Sequence, residues 1–217
     1  MGLSDYLGRF WHSSEPMFGV IMVICFTSIL RTNVAIAESM VWRIIDAALA
    51  CCIAWGLVDG IFYAWELNYD RKKMERLVAL SKSQANEESA LSLLDENLTD
   101  TIIGTLNDHD RAHLYSRLLE RIRDVDVGRV PLKNSVITVL ITFCLVVGTA
   151  VIVLSPFALI PQVSTALLLS NALGIALLFF VGYWREEGLQ LRMKFRSGIM
   201  TALVALIITI VTVYLGG

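Results

Sequence analysis

Residues 46–74 read DAALACCIAWGLVDGIFYAWELNYDRKKM, and the interpretation of this stretch decides the fold. Its first part is apolar enough to cross a bilayer, yet it carries Asp46, Asp59 and Glu66 before ending in a basic cluster. A carboxylate near the middle of a membrane span costs about 2.5–3.5 kcal/mol on insertion scales, so such a residue faces a partner, a cavity or a transported ion. Cys52, Asp59 and Glu66 recur at every seventh position. At about 100° per residue they fall on one stripe of a helix, with Tyr63 beside them. Asp59 and Glu66 are then separated by about 10 Å along the axis. The pattern describes a polar track descending to one membrane face. The plainer alternative is a single hydrogen-bonded Asp59 with an interfacial Glu66 at the helix end.

The rest of the chain suits that stretch. Of 217 residues, 56% are hydrophobic, and the mean hydropathy of +0.64 is that of an integral membrane protein rather than an ordinary soluble domain. The net charge of −2 and the absence of a basic stripe interleaved with aromatics give no reason to expect a nucleic-acid partner. Cys25, Cys51, Cys52 and Cys144 all lie in apolar segments and read as small hydrophobes. No CxxC is present to suggest a zinc or redox site.

Upstream, residues 1–15 form an amphipathic segment, with Leu3, Tyr6, Leu7, Phe10 and Trp11 on one side, suited to the membrane interface. Tyr6 stands where a myristoylation signal needs Ser or Thr. A first span is expected over 16–34. Arg9, this apolar run and Ala35-Ile36-Ala37 also resemble a signal peptide with its cleavage site, but the chain carries Met1, and the segment is expected to be retained. Glu15-Pro16 reads as the start of that helix, with Glu15 at the positive end of its dipole.

The second span is expected over 42–66. A hydrophilic section, 67–131, follows, with apolar residues recurring at three and four in DRKKMERLVALSKS, EESALSLLDENLTDTIIGTL and DRAHLYSRLLERIRD. Three helices are predicted there, the first continuous with the second span. Three more spans, 133–155, 162–184 and 197–215, complete residues 132–217, and Ser155-Pro156 with Pro161 mark a turn between the first two of them. Each is long enough for a hydrocarbon core of about 30 Å. The expected fold is therefore all-α, with five membrane spans and a helical insertion between the second and third.

Placing the 67–131 section in the cytoplasm puts the amino terminus and the 185–196 loop there too. All but Arg31 and Arg43 of the 18 basic residues are then inside, and the carboxyl terminus lies on the opposite side.

Several local strings resemble the vacuolar iron transporter family, whose members have five spans and a charged helical section between the second and third. The first span opens Phe18-Gly19. The second carries Leu57-Val58-Asp59-Gly60-Ile61 with an acid at Glu66. The last runs from Phe195-Arg196-Ser197-Gly198 to Thr212-Val213-Tyr214-Leu215-Gly216, similar to the family's closing pattern. The family's first-span acid is replaced here by Val20-Ile21-Met22-Val23, and its second-span metal-binding Met falls near Tyr63.

The resemblance implies a homodimer that exports a divalent cation, Fe2+ or Mn2+, from the cytoplasm in exchange for protons. The ion is substrate, and no resident cofactor is implied. Asp59 would bind it within the membrane, and Glu66 would receive it at the cytoplasmic mouth. A Met22/Asp59 pair would exchange the family's Asp/Met pair, while Tyr63 and Glu15 join the path. Carboxylates suit these tasks because they ligate hard cations and take up a proton when the ion leaves. The rival reading is a membrane protein of the same fold that transports nothing and whose 67–131 section binds a protein partner.

Other candidates are less specific. His109 and His113 stand at i, i+4, a spacing that can bind a metal, beside Asp108 and Asp110. Glu87, Glu88, Asp95, Glu96 and Asp100 either attract cations or form a solvated helix face. Ser170 and Asn171 are expected to hydrogen-bond between helices. Arg31 either snorkels to the outer interface or neutralises a carboxylate. Beyond Lys133, the third and fifth spans carry no Asp, Glu, Lys, Arg or His, and they read as structural. No nucleophile–base–orienter set, phosphate loop or cofactor fingerprint appears, so an enzyme is not expected.

Overall fold

A computed structural model describes residues 9–31, 34–82, 86–99, 101–127, 132–186 and 190–216. Everything described is helical or connecting, with no strand among those residues. Seven α-helices follow in order: α1 (Arg9–Ser28), α2 (Val34–Ser81), α3 (Glu87–Leu98), α4 (Asp108–Ile122), α5 (Leu132–Leu159), α6 (Val163–Arg185) and α7 (Leu191–Gly216). Short 3-10 turns cover Ile29–Arg31 and Ile102–Thr105. Most of the expected interface segment, residues 1–8, lies outside the described residues.

Four helical segments are long and apolar enough to cross a membrane: Met40–Ser81, Leu132–Leu159, Val163–Arg185 and Leu191–Val211. At about 1.5 Å per residue, even α6 reaches about 34 Å. The helix is the natural form there, because hydrocarbon offers no partners to backbone N–H and C=O groups.

The expected first span differs. Its apolar part, Ser14–Ser28, falls short of the 18 residues that the other four exceed. The chain tightens there into the Ile29–Arg31 turn, and the Ser28 hydroxyl donates back to the Ile24 carbonyl at 2.6 Å. Nor does the helix begin at Glu15-Pro16. It begins at Arg9, so Glu15 lies beyond the first turn and its expected place at the dipole's positive end is corrected. Ser155-Pro156 likewise sits inside α5, and the turn is confined to residues 160–162. Proline lacks only its own N–H, and the Pro156 carbonyl still accepts from Ile160 N at 2.9 Å.

The chain divides into two compact units. One comprises Met1–Tyr63 with Lys133–Gly217, and the other Ala64–Leu132. In the first, α1 is the central helix. Val20, Val23 and Ile24 are fully buried, packed with Ile45 and Cys52 of α2, Val146, Ala150 and Val153 of α5, Leu178 of α6 and Ala205 of α7. Apolar side chains gain little by leaving lipid for protein, so close backbone approach and van der Waals packing hold such helices together. Glycines supply that approach. A methyl at Gly60 would stand 2.9 Å from the Val139 Cα, and one at Gly56 3.2 Å from the Phe143 Cα, so α2 lies directly on α5. Gly19 does the same for α1, where a methyl would strike the Val146 carbonyl and the Thr149 hydroxyl of α5. The rings of Phe179, Tyr183 and Phe195 cluster at 5.6–6.3 Å where α6 ends and α7 begins.

The second unit is built from the end of α2, α3 and α4 around Leu77, Ala90, Leu94, Tyr115 and Leu119. Asn107 caps α4 by accepting from Asp110 N at 2.8 Å. Arg123 Nε donates to the Ser81 carbonyl at 2.6 Å, satisfying a terminal acceptor of α2 where a cation also suits the helix dipole. Asp95 accepts from the Tyr115 hydroxyl at 3.2 Å and pairs with Arg111 at 3.5 Å.

Candidate functional site

Two acids of the first unit meet where α1 and α2 run side by side. Glu15 is only 1% exposed, although it is an acid, and its carboxyl lies within hydrogen-bonding reach of Asp59. Glu15 Oε2 and Asp59 Oδ2 are both buried without a hydrogen-bond partner. The chemistry explains why. Ionised carboxylates only accept, so neither can satisfy the other. Two such groups side by side repel, and a buried unpaired charge costs several kcal/mol. A metal cation or a shared proton between them removes both penalties.

The sequence brings these acids together through small residues. Helices α1 and α2 run antiparallel: Glu15 meets Asp59, the Cys52 thiol points at the Gly19 carbonyl at 3.9 Å, and the Cys51 thiol contacts Met22 Sδ at 3.7 Å. Gly56 and Gly60 flank Asp59 and draw α5 against the same region of α2. Between the α5 residues that receive those glycines lies Thr142, fully buried, whose Oγ1 also lacks a partner. Thr142 thus lies on α5 beside the residues that Gly56 and Gly60 approach.

Of the residues singled out in sequence, Glu15 and Asp59 come together. Tyr63 is buried one turn beyond Asp59 on α2. Met22 does not complete the expected pair with Asp59. It rests against Cys51, which precedes Asp59 by two turns, about 12 Å along the helix. Glu66 is exposed and belongs to the second unit. His109 and His113 are exposed on α4, and Asp95 is engaged by Tyr115 and Arg111. Asp100 and the Arg31 side chain lie outside the described residues. Ser170 forms its expected interhelical bond, donating to the Val153 carbonyl at 2.7 Å, but Asn171 finds no such partner.

Sequence reading missed Thr142 and the glycine seam. The Gly56-x-x-x-Gly60 spacing, which places two small residues on one helix face, was the available signal for the seam. A lone threonine in an apolar span gives none.

No group of three or more His, Cys, Asp or Glu that could hold a metal ion occurs among the described residues. The acids that meet in the first unit are two, Glu15 and Asp59. Hard cations such as Mg2+ are commonly held this way, by one or two carboxylates while keeping part of their water. Such a site suits an ion that must leave again. No protein-family model matches the chain, and no curated protein matches it.

Proposed function

We propose that this protein carries a divalent metal cation across a membrane, binding it between Glu15 and Asp59. The observation that carries the reading is that two acids, Glu15 and Asp59, meet inside the helix bundle, each with one buried carboxyl oxygen that has no hydrogen-bond partner. A purely structural acid in a membrane helix would be hydrogen-bonded, and an acid of no consequence would face water. Placing the pair at a junction of α1, α2 and α5 lets small movements of α1 open it to either side.

The resemblance to vacuolar iron transporters supplies the rest of the proposal. The substrate is Fe2+ or Mn2+, moved out of the cytoplasm in exchange for protons. The chain works as a homodimer with α1 as the fifth membrane span. Its amino terminus and 67–131 section are cytoplasmic and its carboxyl terminus lies opposite.

Equilibrium Mn2+ binding to purified protein in detergent tests the site. Glu15→Gln and Asp59→Asn should each weaken binding at least about tenfold, the loss of one charged ligand contact of about 1.4 kcal/mol or more. Equal affinity in the wild type and both variants, all folded, removes the site. It would leave the rival, in which the 67–131 section recruits a partner protein.

A further inference from the structure

Asn171 is the buried polar group that the carboxyl site does not use. It lies on α6 at 5% exposure, and neither its Oδ1 nor its Nδ2 has a hydrogen-bond partner. An amide inside a protein normally makes several bonds, and an unsatisfied one costs about 1–3 kcal/mol.

Its surroundings can be placed from the helix contacts. Ser170, its neighbour, bonds the Val153 carbonyl of α5. Gly174, one turn later, lies against Val20 and Ile24 of α1. α1 is antiparallel to α2, and α2 to α5, because Gly56 meets Phe143 while Gly60 meets Val139. α1 therefore runs parallel to α5, and α6, after its short turn, runs against both. The residues of α1 beyond Ile24 then stand level with Asn171. Among them Thr27 and Ser28 are both buried. Their hydroxyl hydrogens are spent on the Val23 and Ile24 carbonyls, at 2.8 and 2.6 Å, which leaves their oxygens as acceptors. Four oxygen-bearing side chains, Thr27, Ser28, Ser170 and Asn171, thus mark one level of the α1, α5 and α6 junction. Glu15 and Asp59 mark another, about 18 Å away along α1. Between the two levels Val20, Val23 and Val146 are fully buried, an apolar plug.

We infer that Asn171 is the second station of the transported cation, a neutral oxygen site that takes the ion from the carboxyl pair once the Val20–Val23–Val146 plug opens. This rests on the transport reading above. The ligand is the same divalent cation, held by an amide oxygen and by hydroxyls. Neutral oxygens hold it less tightly than two carboxylates, and a weak final station is what release to the far side requires.

Mn2+ uptake into sealed vesicles and Mn2+ binding, measured on one preparation, test this. Asn171→Leu, close in volume but without the amide, should keep wild-type binding at the carboxyl pair and lose flux by at least about tenfold. If that variant does not fold, Asn171→Ala is read by the same two measurements. Flux within twofold of wild type in a folded Asn171 variant overturns the second station and leaves the carboxyl pair standing. Failure of the pair itself is read on a different protein, as unchanged binding in Asp59→Asn.

Discussion

At the scale of single residues, Glu15 and Asp59 set a conflict between stability and function. Each is acceptor-only when ionised, so a pair that holds neither a metal ion nor a proton is strained electrostatically. Asp59→Asn supplies an amide N–H2 facing Glu15 and converts the repulsion into a charge-assisted hydrogen bond. Without metal, and at a pH where both acids of the wild type are ionised, the variant should be more stable than wild type by about 1.5–3 kcal/mol, the worth of a hydrogen bond to a charged group. A thermal melt of the metal-free proteins measures this, and a lower melting temperature would mean that Asp59 serves the fold. Adding Mn2+ should raise the melting temperature of wild type and leave Asp59→Asn unmoved, because only a state that binds the ion is stabilised by it. That Asp59 would face another group was legible in sequence, because a carboxylate in an apolar run costs too much to stand alone. Its partner was not. Glu15 and Asp59 lie 44 positions apart, and no periodicity in one helix reveals which residue of another will face it.

At the scale of elements, the glycines of α2 make a sharper prediction than its acids. Gly60→Ala would place a methyl 2.9 Å from the Val139 Cα, a backbone atom that cannot swing away. α2 and α5 must part, which should cost about 1–3 kcal/mol and reduce Mn2+ binding at the adjacent Asp59. Gly148→Ala is the control, since a methyl there meets nothing within 4 Å. It should be neutral, or stabilising by about 0.5–1 kcal/mol from the better helix propensity of alanine. Comparing the two melting temperatures checks both.

In the unit formed by the end of α2 with α3 and α4, Tyr115 predicts a pH dependence. Burial, together with the Asp95 carboxylate that accepts its hydroxyl, raises the Tyr115 phenol above its ordinary value of 10.0. A phenol that holds its proton more tightly when folded stabilises the fold fully below that ordinary value. The contribution is lost as pH rises from there through the raised folded value. Unfolding followed by circular dichroism should show Tyr115→Phe losing less stability than wild type as pH rises above 10, and equal slopes would contradict this. The three helices of this region were legible because their apolar residues recur at three and four. The ends were less so. The α1 start at Arg9 was hidden because Glu15-Pro16 offers every local sign of a helix beginning.

At the scale of the whole molecule, the outward faces of the membrane helices set the environment. Leu203, Leu206, Ile207 and Ile210 of α7 are exposed, as are Ile53, Leu57, Ile61 and Phe62 of α2 and Val136, Leu140 and Ile152 of α5. So much exposed apolar surface on helices long enough to span suits a hydrocarbon surrounding. Composition alone revealed that environment, and runs of apolar residues located the helices that meet it. The apolar part of α1 is shorter than a standard span, and the reading that transport runs through α1 places its polar ends near the two membrane faces, Glu15 at one and Thr27 and Ser28 towards the other. A short central helix with buried oxygens at both levels and an apolar middle fits alternating access to two stations.

The most direct measurement is Mn2+ uptake by sealed vesicles containing the purified protein, wild type beside Asp59→Asn, with the melting temperature of each recorded on the same preparation. The account predicts concentration-dependent uptake by the wild type and none above empty vesicles for Asp59→Asn, which stays folded and melts no lower than wild type. Uptake at the wild-type rate by a folded Asp59→Asn protein would contradict it.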